Sequence, residues 1–363
     1  MDLRIAVLGG DGIGPEVTAE SVKVLDAIGR RYGHEFTYIT GPVGGTAIDM
    51  TGSALPADTM NIVLGSDAVL FGAVGGPKWD DPAAKVRPED GILALRKGLG
   101  LFANLRPCKV YEQLIDTSPI RPERLIDVDF IIVRELTGGL YFGKPKRRWE
   151  NSRGRRAVDT LAYSEKEIER VVRIAFELAR DRKKRLHSLD KMNVMESSRL
   201  WREVATEVGI EYPDVELIHM LADNAAMQII TQPSIFDVIV AENMFGDILS
   251  DEAAMLTGSL GLLPSASLGA KDKDGNMRSM YEPVHGSAPD ITGKGIANPI
   301  ATILSFSMAL KYSLNLDKES KALDNAVQKV LDDGLRTKDI ISKGKKEVST
   351  SEMGDAIIAC LQK

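Results

Sequence analysis

The chain has 363 residues, 44% hydrophobic and 27% charged, with a formal net charge of −6 and a pI near 5.5. That length exceeds what one hydrophobic core usually serves, so two domains are expected, and the acidic balance argues against a nucleic-acid partner although Lys144 to Arg148 forms a local basic patch. Two cysteines, Cys108 and Cys360, cannot make a disulfide framework or a zinc site; with no signal peptide and no apolar run of the ~18 residues needed to cross a bilayer, a cytoplasmic protein without membrane contact is expected.

In chain order, short β-branched runs alternate with helical periodicity, an α/β pattern. The first strand, 3–8, runs into Gly9-Gly-Asp-Gly12-Ile-Gly14, and a helix follows from Pro15 with apolar Val17, Val24, Leu25 and Ile28. This glycine cluster invites a dinucleotide-binding reading and fails it. A G-x-G-x-x-G match starting at Gly10 needs glycine where Pro15 stands, and one starting at Gly9 needs glycine where Asp11 stands, although Glu35 lies about where a ribose-binding acid would follow. Further strands are expected at 67–74, 130–134, 185–189, 215–220 and 236–241, with helices at 164–182, 194–207 and 245–257. Composition shifts near 99–107 and again at 257–269, where glycine and serine accumulate, so the chain is expected to leave one domain and later return to it.

The stretch Tyr281-Glu-Pro-Val-His285-Gly-Ser-Ala-Pro-Asp290-Ile-Thr-Gly-Lys-Gly295-Ile-Ala-Asn298-Pro299 carries the most information. Its glycines and prolines disfavour regular structure over its whole length and gather an imidazole, a carboxylate and an amide into one loop. Gly286, Gly293 and Gly295 permit close backbone approach to a phosphate-bearing ligand, and Asn298-Pro299 reads as a helix start whose amides could face an anion.

This loop closely resembles the adenosine-binding loop of the decarboxylating 2-hydroxyacid dehydrogenases, the isocitrate/isopropylmalate dehydrogenase family. Five further segments match in the family's order: Leu95-Arg96-Lys-Gly-Leu-Gly-Leu-Phe-Ala-Asn104-Leu-Arg106-Pro107, Val133-Arg134-Glu-Leu-Thr-Gly-Gly-Leu-Tyr141-Phe-Gly143, Asp190-Lys191-Met-Asn193-Val194, Asp223-Asn-Ala-Ala-Met227 and Asn243-Met-Phe-Gly-Asp247-Ile-Leu-Ser-Asp251. The resemblance runs from residue 5 to about 310. It implies a two-domain α/β fold with a large twisted sheet, distinct from a standard Rossmann fold, the discontinuous domain 1–101 plus 258–363 binding the cofactor and the central domain 102–257 carrying the substrate and metal residues and the dimer interface. On that resemblance NAD⁺ meets His285, Gly286, Ser287, Ala288, Asp290, Ile291 and Asn298, and Asp290, facing the adenosine ribose, selects against NADP⁺.

Asp247 and Asp251 stand four residues apart on an expected helix, so both carboxylates project from one face and repel unless something positive lies between them. A hard divalent cation, Mg²⁺ or Mn²⁺, would resolve that repulsion; two solvated helix acids is the plain alternative. Lys191, just after an expected strand, is a candidate base or a surface lysine paired with Asp190. Tyr141 is a candidate acid or a core aromatic. Arg96, Arg106 and Arg134 could each be a solvated surface group, yet guanidinium presents the paired donors that suit a dicarboxylate.

The resemblance assigns these residues roles. Asp247 and Asp251 hold the metal together with Asp223 of a dimer partner, Lys191 takes the substrate's hydroxyl proton, Tyr141 protonates the enolate, and the three arginines bind the carboxylates. Ile92 and Leu93, with Val194 from the partner, make an apolar wall facing the substrate's side chain, with Glu89 nearby. The motifs look most like the leucine-biosynthesis branch, which implies NAD⁺-dependent oxidative decarboxylation of (2R,3S)-3-isopropylmalate to 4-methyl-2-oxopentanoate and CO₂ by a homodimer with shared active sites. The hydrophilic tract 147–156 lies where relatives extend an arm into the dimer partner. A phosphoryl-transfer enzyme would also use aspartates, a lysine and Mg²⁺, but no Walker-type loop is present, and an inactive binding homologue is disfavoured because every expected site residue is in place.

Overall fold

The computed structural model describes residues 1–81, 83–271, 273 and 277–362. In chain order its principal strands are β1 (Asp2–Gly10), β2 (Glu35–Thr40), β3 (Ala68–Ala73), β4 (Ala103–Lys109), β5 (Asp129–Glu135), β6 (Arg147–Asn151), β7 (Gly154–Val158), β8 (Arg185–Asp190), β9 (Glu216–Leu221), β10 (Val238–Ala241), β11 (Pro264–Lys271) and β12 (Met277–Pro283). The α-helices are α1 (Gly14–Tyr32), α2 (Gly45–Thr51), α3 (Ala57–Leu64), α4 (Pro88–Leu99), α5 (Glu165–Arg180), α6 (Glu196–Ile210), α7 (Ala222–Thr231), α8 (Asn243–Thr257), α9 (Ile300–Tyr312), α10 (Asp317–Asp332) and α11 (Thr350–Leu361). The expected α/β class is what the structure shows. Among the described residues no helix is long and apolar enough to cross a membrane.

The chain divides into two compact units: Met1–Leu101, Tyr111–Pro119 and Thr257–Lys363 form unit 1, and Phe102–Val110 with Ile120–Leu256 form unit 2. In unit 1 the strands follow the order β2-β1-β3-β12-β11, parallel except for the antiparallel β11–β12 pair. All six residues of β3, Ala-Val-Leu-Phe-Gly-Ala, are buried, as expected of a parallel strand covered on both faces. Beside this sheet α9 is buried from Ile300 through Leu310; a helix apolar on all sides belongs inside a core. α1 packs against α9 and α11; Pro15 opens it and Gly33 ends it in the left-handed region at φ 75°.

Tyr111–Pro119, part of the stretch 102–257 assigned to the second domain from sequence, clusters with unit 1 instead. A fully buried arginine, Arg336, holds it there. Its Nη2 donates to the Gln113 carbonyl at 2.8 Å, and its Nη1 donates to the carbonyls of Leu331 at 2.9 Å and Leu335 at 2.8 Å. A basic residue near the C-terminus gives no sequence signal that it bonds a segment more than 200 positions away. Arg336→Met would leave three carbonyls short of a donor, so it is expected to destabilise unit 1 by about 2–4 kcal/mol. A thermal melt that matches the parent protein would refute this.

Unit 2 has the order β4-β5-β10-β8-β9, with β4 antiparallel to β5 and the remaining pairs parallel. The amphipathic α5 buries Ile168, Val171, Val172, Ala175, Phe176 and Ala179, at helical spacing on one face, and a Ser164–Glu167 capping box starts it. β5, β8 and β10 end at Glu135, Asp190 and Ala241, and the functional candidates Arg134, Lys191 and Asp247 sit at or just beyond those carboxyl ends, where α/β sheets bind ligands. The hydrophilic tract folds into an antiparallel hairpin, β6 pairing with β7.

One reading of the sequence needs correction. Tyr281, Glu282 and Pro283 are not loop: they end β12, and Tyr281 is completely buried, so the irregular segment begins at Val284. The early glycine cluster, which fails the dinucleotide pattern in sequence, is a brace. Gly12 has φ 61°, and a Cβ there would lie 2.0 Å from the Ser287 carbonyl oxygen, to which the Ile13 N–H donates at 2.8 Å. Asp11 is almost fully buried, and its carboxylate accepts the amides of Gly45 at 2.7 Å, Thr46 at 2.8 Å and Gly75 at 2.9 Å. With the Asp11 and Gly14 amides also donating to protein carbonyls, three of this loop's amides serve the fold.

Candidate active site

In unit 2 the side chains converge on Asp247, on the first turns of α8. The Tyr141 hydroxyl donates to its Oδ2 at 3.1 Å, Arg134 Nη1 pairs with its Oδ1, and Arg106 Nη2 stands 3.5 Å from the same oxygen. Arg106 Nη1 lies 3.4 Å from Asp251 Oδ1. One guanidinium thus bridges the two aspartates, which shows that both carboxylates turn toward a common positive group, as their spacing on a helix requires. Burial raises the Asp251 carboxyl above its ordinary range; Arg106 opposes this and Asp247 adds to it.

The supporting groups are buried. Arg106 Nε donates to Asn104 Oδ1 at 2.7 Å and Nη1 donates to Ser250 Oγ at 2.7 Å, with Asn104 fully buried. Arg134, only 5% exposed, donates through Nε and Nη2 to Asn243 Oδ1 at 3.0 and 2.9 Å. Gly246 makes room for it: a Cβ there would meet the Arg134 side chain at 2.8 Å. Burial first, then the Asp247 charge and hydrogen bond, raise the Tyr141 phenol above its ordinary value, so it holds its proton at neutral pH.

Lys191 and Asp223 form a second group in unit 2, Nζ to Oδ1 at 2.8 Å, with the Asp223 side chain 60% exposed. That hydrogen bond lowers the Asp223 carboxyl. The sequence left open a pairing of Lys191 with Asp190; Asp190 instead is buried and held by Arg202 Nε at 2.7 Å. Among the described residues no three His, Cys, Asp or Glu side chains gather as metal ligands within the chain, so Asp223 does not join Asp247 and Asp251 in one subunit. Asp247 and Asp251 alone offer the oxygen donors and shared orientation that a hard cation takes. Val194, next to this group, is 67% exposed.

Unit 1 carries the rest. On α4, Pro88, Gly91, Leu95 and Leu99 face the core, which leaves Glu89, Leu93 and Arg96 together on another face with Ile92 beside them. Leu93 is 40% exposed. Arg96 Nη2 pairs with Glu282 Oε1 at 2.7 Å, a partner the sequence reading missed. In the late loop, His285 Nδ1 meets the Gly286 carbonyl at 2.9 Å, while its buried Nε2 has no partner. Burial depresses its pKa, leaving a neutral ring with a nitrogen able to receive a ligand. Backbone bonds shape the loop, Ile291 N–H to the Ala288 oxygen at 3.1 Å and Lys294 N–H to the Ile291 oxygen at 3.2 Å. Ala288 and Ile291 pack on Ile13, Val17 and Ala297, Ser287 is buried, and Asp290 and Gly286 are exposed. Asn298 stands just ahead of α9, its Oδ1 accepting the Ile300 N–H at 3.0 Å, and Nδ2 donates to Asp339 at 3.0 Å. Of the amides at the helix start expected at Asn298-Pro299, the Ile300 N–H is thus engaged by the Asn298 side chain.

Asn243 and Ser250, also missed, stood inside the quoted Asn243-to-Asp251 segment; their polar character at buried positions is visible only once α8 is packed.

A family model described as isocitrate/isopropylmalate dehydrogenase matches residues 4–357. The 3-isopropylmalate dehydrogenase of Geobacillus kaustophilus is 59% identical over 354 residues, 98% of this chain and 94% of that protein, and that of Shouchella clausii is 58% identical, over 99% of this chain and 98% of the relative. Among solved structures, isocitrate dehydrogenase from Methylococcus capsulatus superposes with a TM-score of 0.86 at 32% identity, covering 99% of this chain and all of that one. A β-decarboxylating dehydrogenase from Thermococcus kodakarensis gives 0.78 at 36% identity, covering 99% and 96%. The chain belongs to the isocitrate/isopropylmalate dehydrogenase family.

Proposed function

We infer that this chain oxidises and decarboxylates (2R,3S)-3-isopropylmalate to 4-methyl-2-oxopentanoate and CO₂, the step of leucine biosynthesis carried out by relatives 54–59% identical to it over nearly its whole length. The observation that carries the chemistry is the convergence of Arg106, Arg134 and Tyr141 on Asp247. In this reading Asp247 and Asp251, with the partner subunit's Asp223, hold Mg²⁺ or Mn²⁺, and the loop from His285 to Asn298 holds NAD⁺. When bound, the nicotinamide takes the C2 hydride and the cation steadies negative charge on the C2 oxygen.

Arg96, Arg106 and Arg134 bind the carboxylates, the last two held rigid by Asn104 and Asn243. Rigid donors orient the substrate without reorganising during reaction. Lys191 Nζ accepts the C2 hydroxyl proton, through water. After CO₂ leaves, Tyr141 Oη delivers a proton to the enolate carbon; its raised pKa keeps that proton available. Val194, Met227, Ile248 and Met255 are all exposed apolar residues in unit 2, which supports a dimer that covers them. Mixing the protein with 3-isopropylmalate, NAD⁺ and Mg²⁺ should produce the reduced-nicotinamide absorbance band and 4-methyl-2-oxopentanoate in equal amounts. Absence of both overturns this function.

Specificity tests the wall at Ile92, Leu93 and the partner subunit's Val194. Malate lacks three alkyl carbons, each worth about 0.8 kcal/mol if buried, so its kcat/KM should fall about 50-fold below that of isopropylmalate. Isocitrate would set a carboxylate against Leu93 with Glu89 nearby, and should fall on the order of a thousandfold. Equal kcat/KM for isocitrate and isopropylmalate would exclude this wall.

A further inference from the structure

Beneath Tyr141 and Arg134 lies a buried polar network with no part in the proton transfers or carboxylate contacts described above. Glu135, wholly buried, accepts the Thr137 and Gly138 amides at 2.7 and 2.8 Å. Glu242, 4% exposed, accepts the amides of Met244 and Phe245, each at 3.1 Å. Tyr163 ties these elements together: its hydroxyl donates to Glu242 Oε2 at 3.2 Å and accepts the Asn243 N–H at 3.0 Å. Burial, then the charges of Glu135 and Glu242, raise the Tyr163 phenol far above its ordinary value, so it stays a donor.

From this hydroxyl the connections lead to both functional groups. Asn243 Oδ1 receives two bonds from Arg134, and Asn243 Nδ2 donates to the Gly138 carbonyl at 3.2 Å. The phenol also presses on the turn that ends at Tyr141. A Cβ at Gly138 would lie 2.5 Å from the Tyr163 ring, and one at Gly139, which has φ 74°, would lie 2.4 Å from its hydroxyl. Two adjacent glycines are therefore what lets this turn close on Tyr163. The ring's position is itself fixed edge-on by Trp201, at 5.8 Å between centroids.

We propose that Tyr163 is a positioning residue for this reaction, holding the Arg134 guanidinium through Asn243 and the Tyr141 hydroxyl through the Gly138–Gly139 turn; this rests on the function inferred above. Without its hydroxyl, the buried Asn243 amide and one Glu242 oxygen lose their shared partner, and the start of α8 loses its tie to the segment before α5. Asn243 Oδ1 then no longer meets Arg134 at a fixed place. The cofactor loop belongs to the other unit and shares none of these bonds.

Tyr163→Phe and Asn243→Ala test this, with binding of 3-isopropylmalate and of NAD⁺ measured separately by calorimetry in Mg²⁺ buffer, alongside kcat and melting temperature. Each substitution should weaken 3-isopropylmalate binding and lower kcat about tenfold each, the size expected for disturbing a buried, charge-assisted contact, while NAD⁺ binding stays within about twofold. Tyr163→Phe keeps the ring against Trp201 and decides the matter on its own if Asn243→Ala does not fold. Unchanged substrate binding and kcat with a lowered melting temperature would overturn the positioning role and leave Tyr163 as a fold residue. Wild-type protein that neither binds nor turns over 3-isopropylmalate would overturn the functional reading instead.

Discussion

Lys191→Ala and Asp247→Ala proteins, each inactive alone, are expected to regain activity when unfolded and refolded together. In the proposed dimer each site takes Asp247 and Asp251 from one subunit and Lys191 and Asp223 from the other, so a mixed dimer contains one site with every group intact and one lacking both. Random assortment in a twofold dimer then restores about a quarter of wild-type activity. Each parent should lose about a thousandfold or more, since one lacks the base and the other a carboxylate needed for the cation. Two features support the shared arrangement. Lys191 and Asp223 bind each other at 2.8 Å with the Asp223 side chain exposed, and among the described residues no third carboxylate joins Asp247 and Asp251 within the chain. If native mass spectrometry confirmed mixed dimers and activity stayed at the level of the parents, the sites would not be shared.

How much of this could be read from sequence depended on whether an interaction is local. β3, β5, β8, β10 and α5 announce themselves by apolar runs and a 3.6-residue period, and their observed bounds lie within two residues of the expected ones, because burial of a strand or helix face imposes its pattern on consecutive residues. The Asp247–Asp251 pair was legible for the same reason. Glu282 was not: it ends a strand, and only packing brings it to Arg96, 186 positions earlier in the chain. Tyr163 was equally silent, since a tyrosine ahead of a helix cap carries no mark of the buried Glu242 it will meet. The Gly9–Gly14 cluster, rejected as a dinucleotide site, is instructive in another way. Its glycines do report close backbone approach, but the approaching atom is the Ser287 carbonyl of the protein's own late loop. Sequence shows that backbone must come close there, and cannot show to what.

That brace sharpens the last expectation, a strong preference for NAD⁺ over NADP⁺ set by Asp290. The residue is exposed, in a loop whose turns are closed by backbone bonds from Ile291 and Lys294 and whose Ser287 carbonyl is pinned by the Ile13 amide. Its carboxylate is thus available to accept ribose hydroxyls, and it would stand against the 2′-phosphate of NADP⁺, which carries nearly two negative charges. Like charges a few ångströms apart near a protein surface repel by some kcal/mol, so kcat/KM should favour NAD⁺ by about a hundredfold or more, and Asp290→Ala should reduce that ratio at least about tenfold. Asp290→Lys with Ile291→Tyr should carry the change further toward NADP⁺. Ile291, however, packs on Ile13, Val17 and Ala297, so replacing it also disturbs the seat of the loop. Asp290→Ala is the cleaner test, because it removes the charge and leaves that seat intact. Were Asp290 only a loop cap, Asp290→Ala would lower the melting temperature and leave the NAD⁺ to NADP⁺ ratio of kcat/KM unchanged; a reduced ratio at an unaltered melting temperature is the result expected of a residue that reads the ribose.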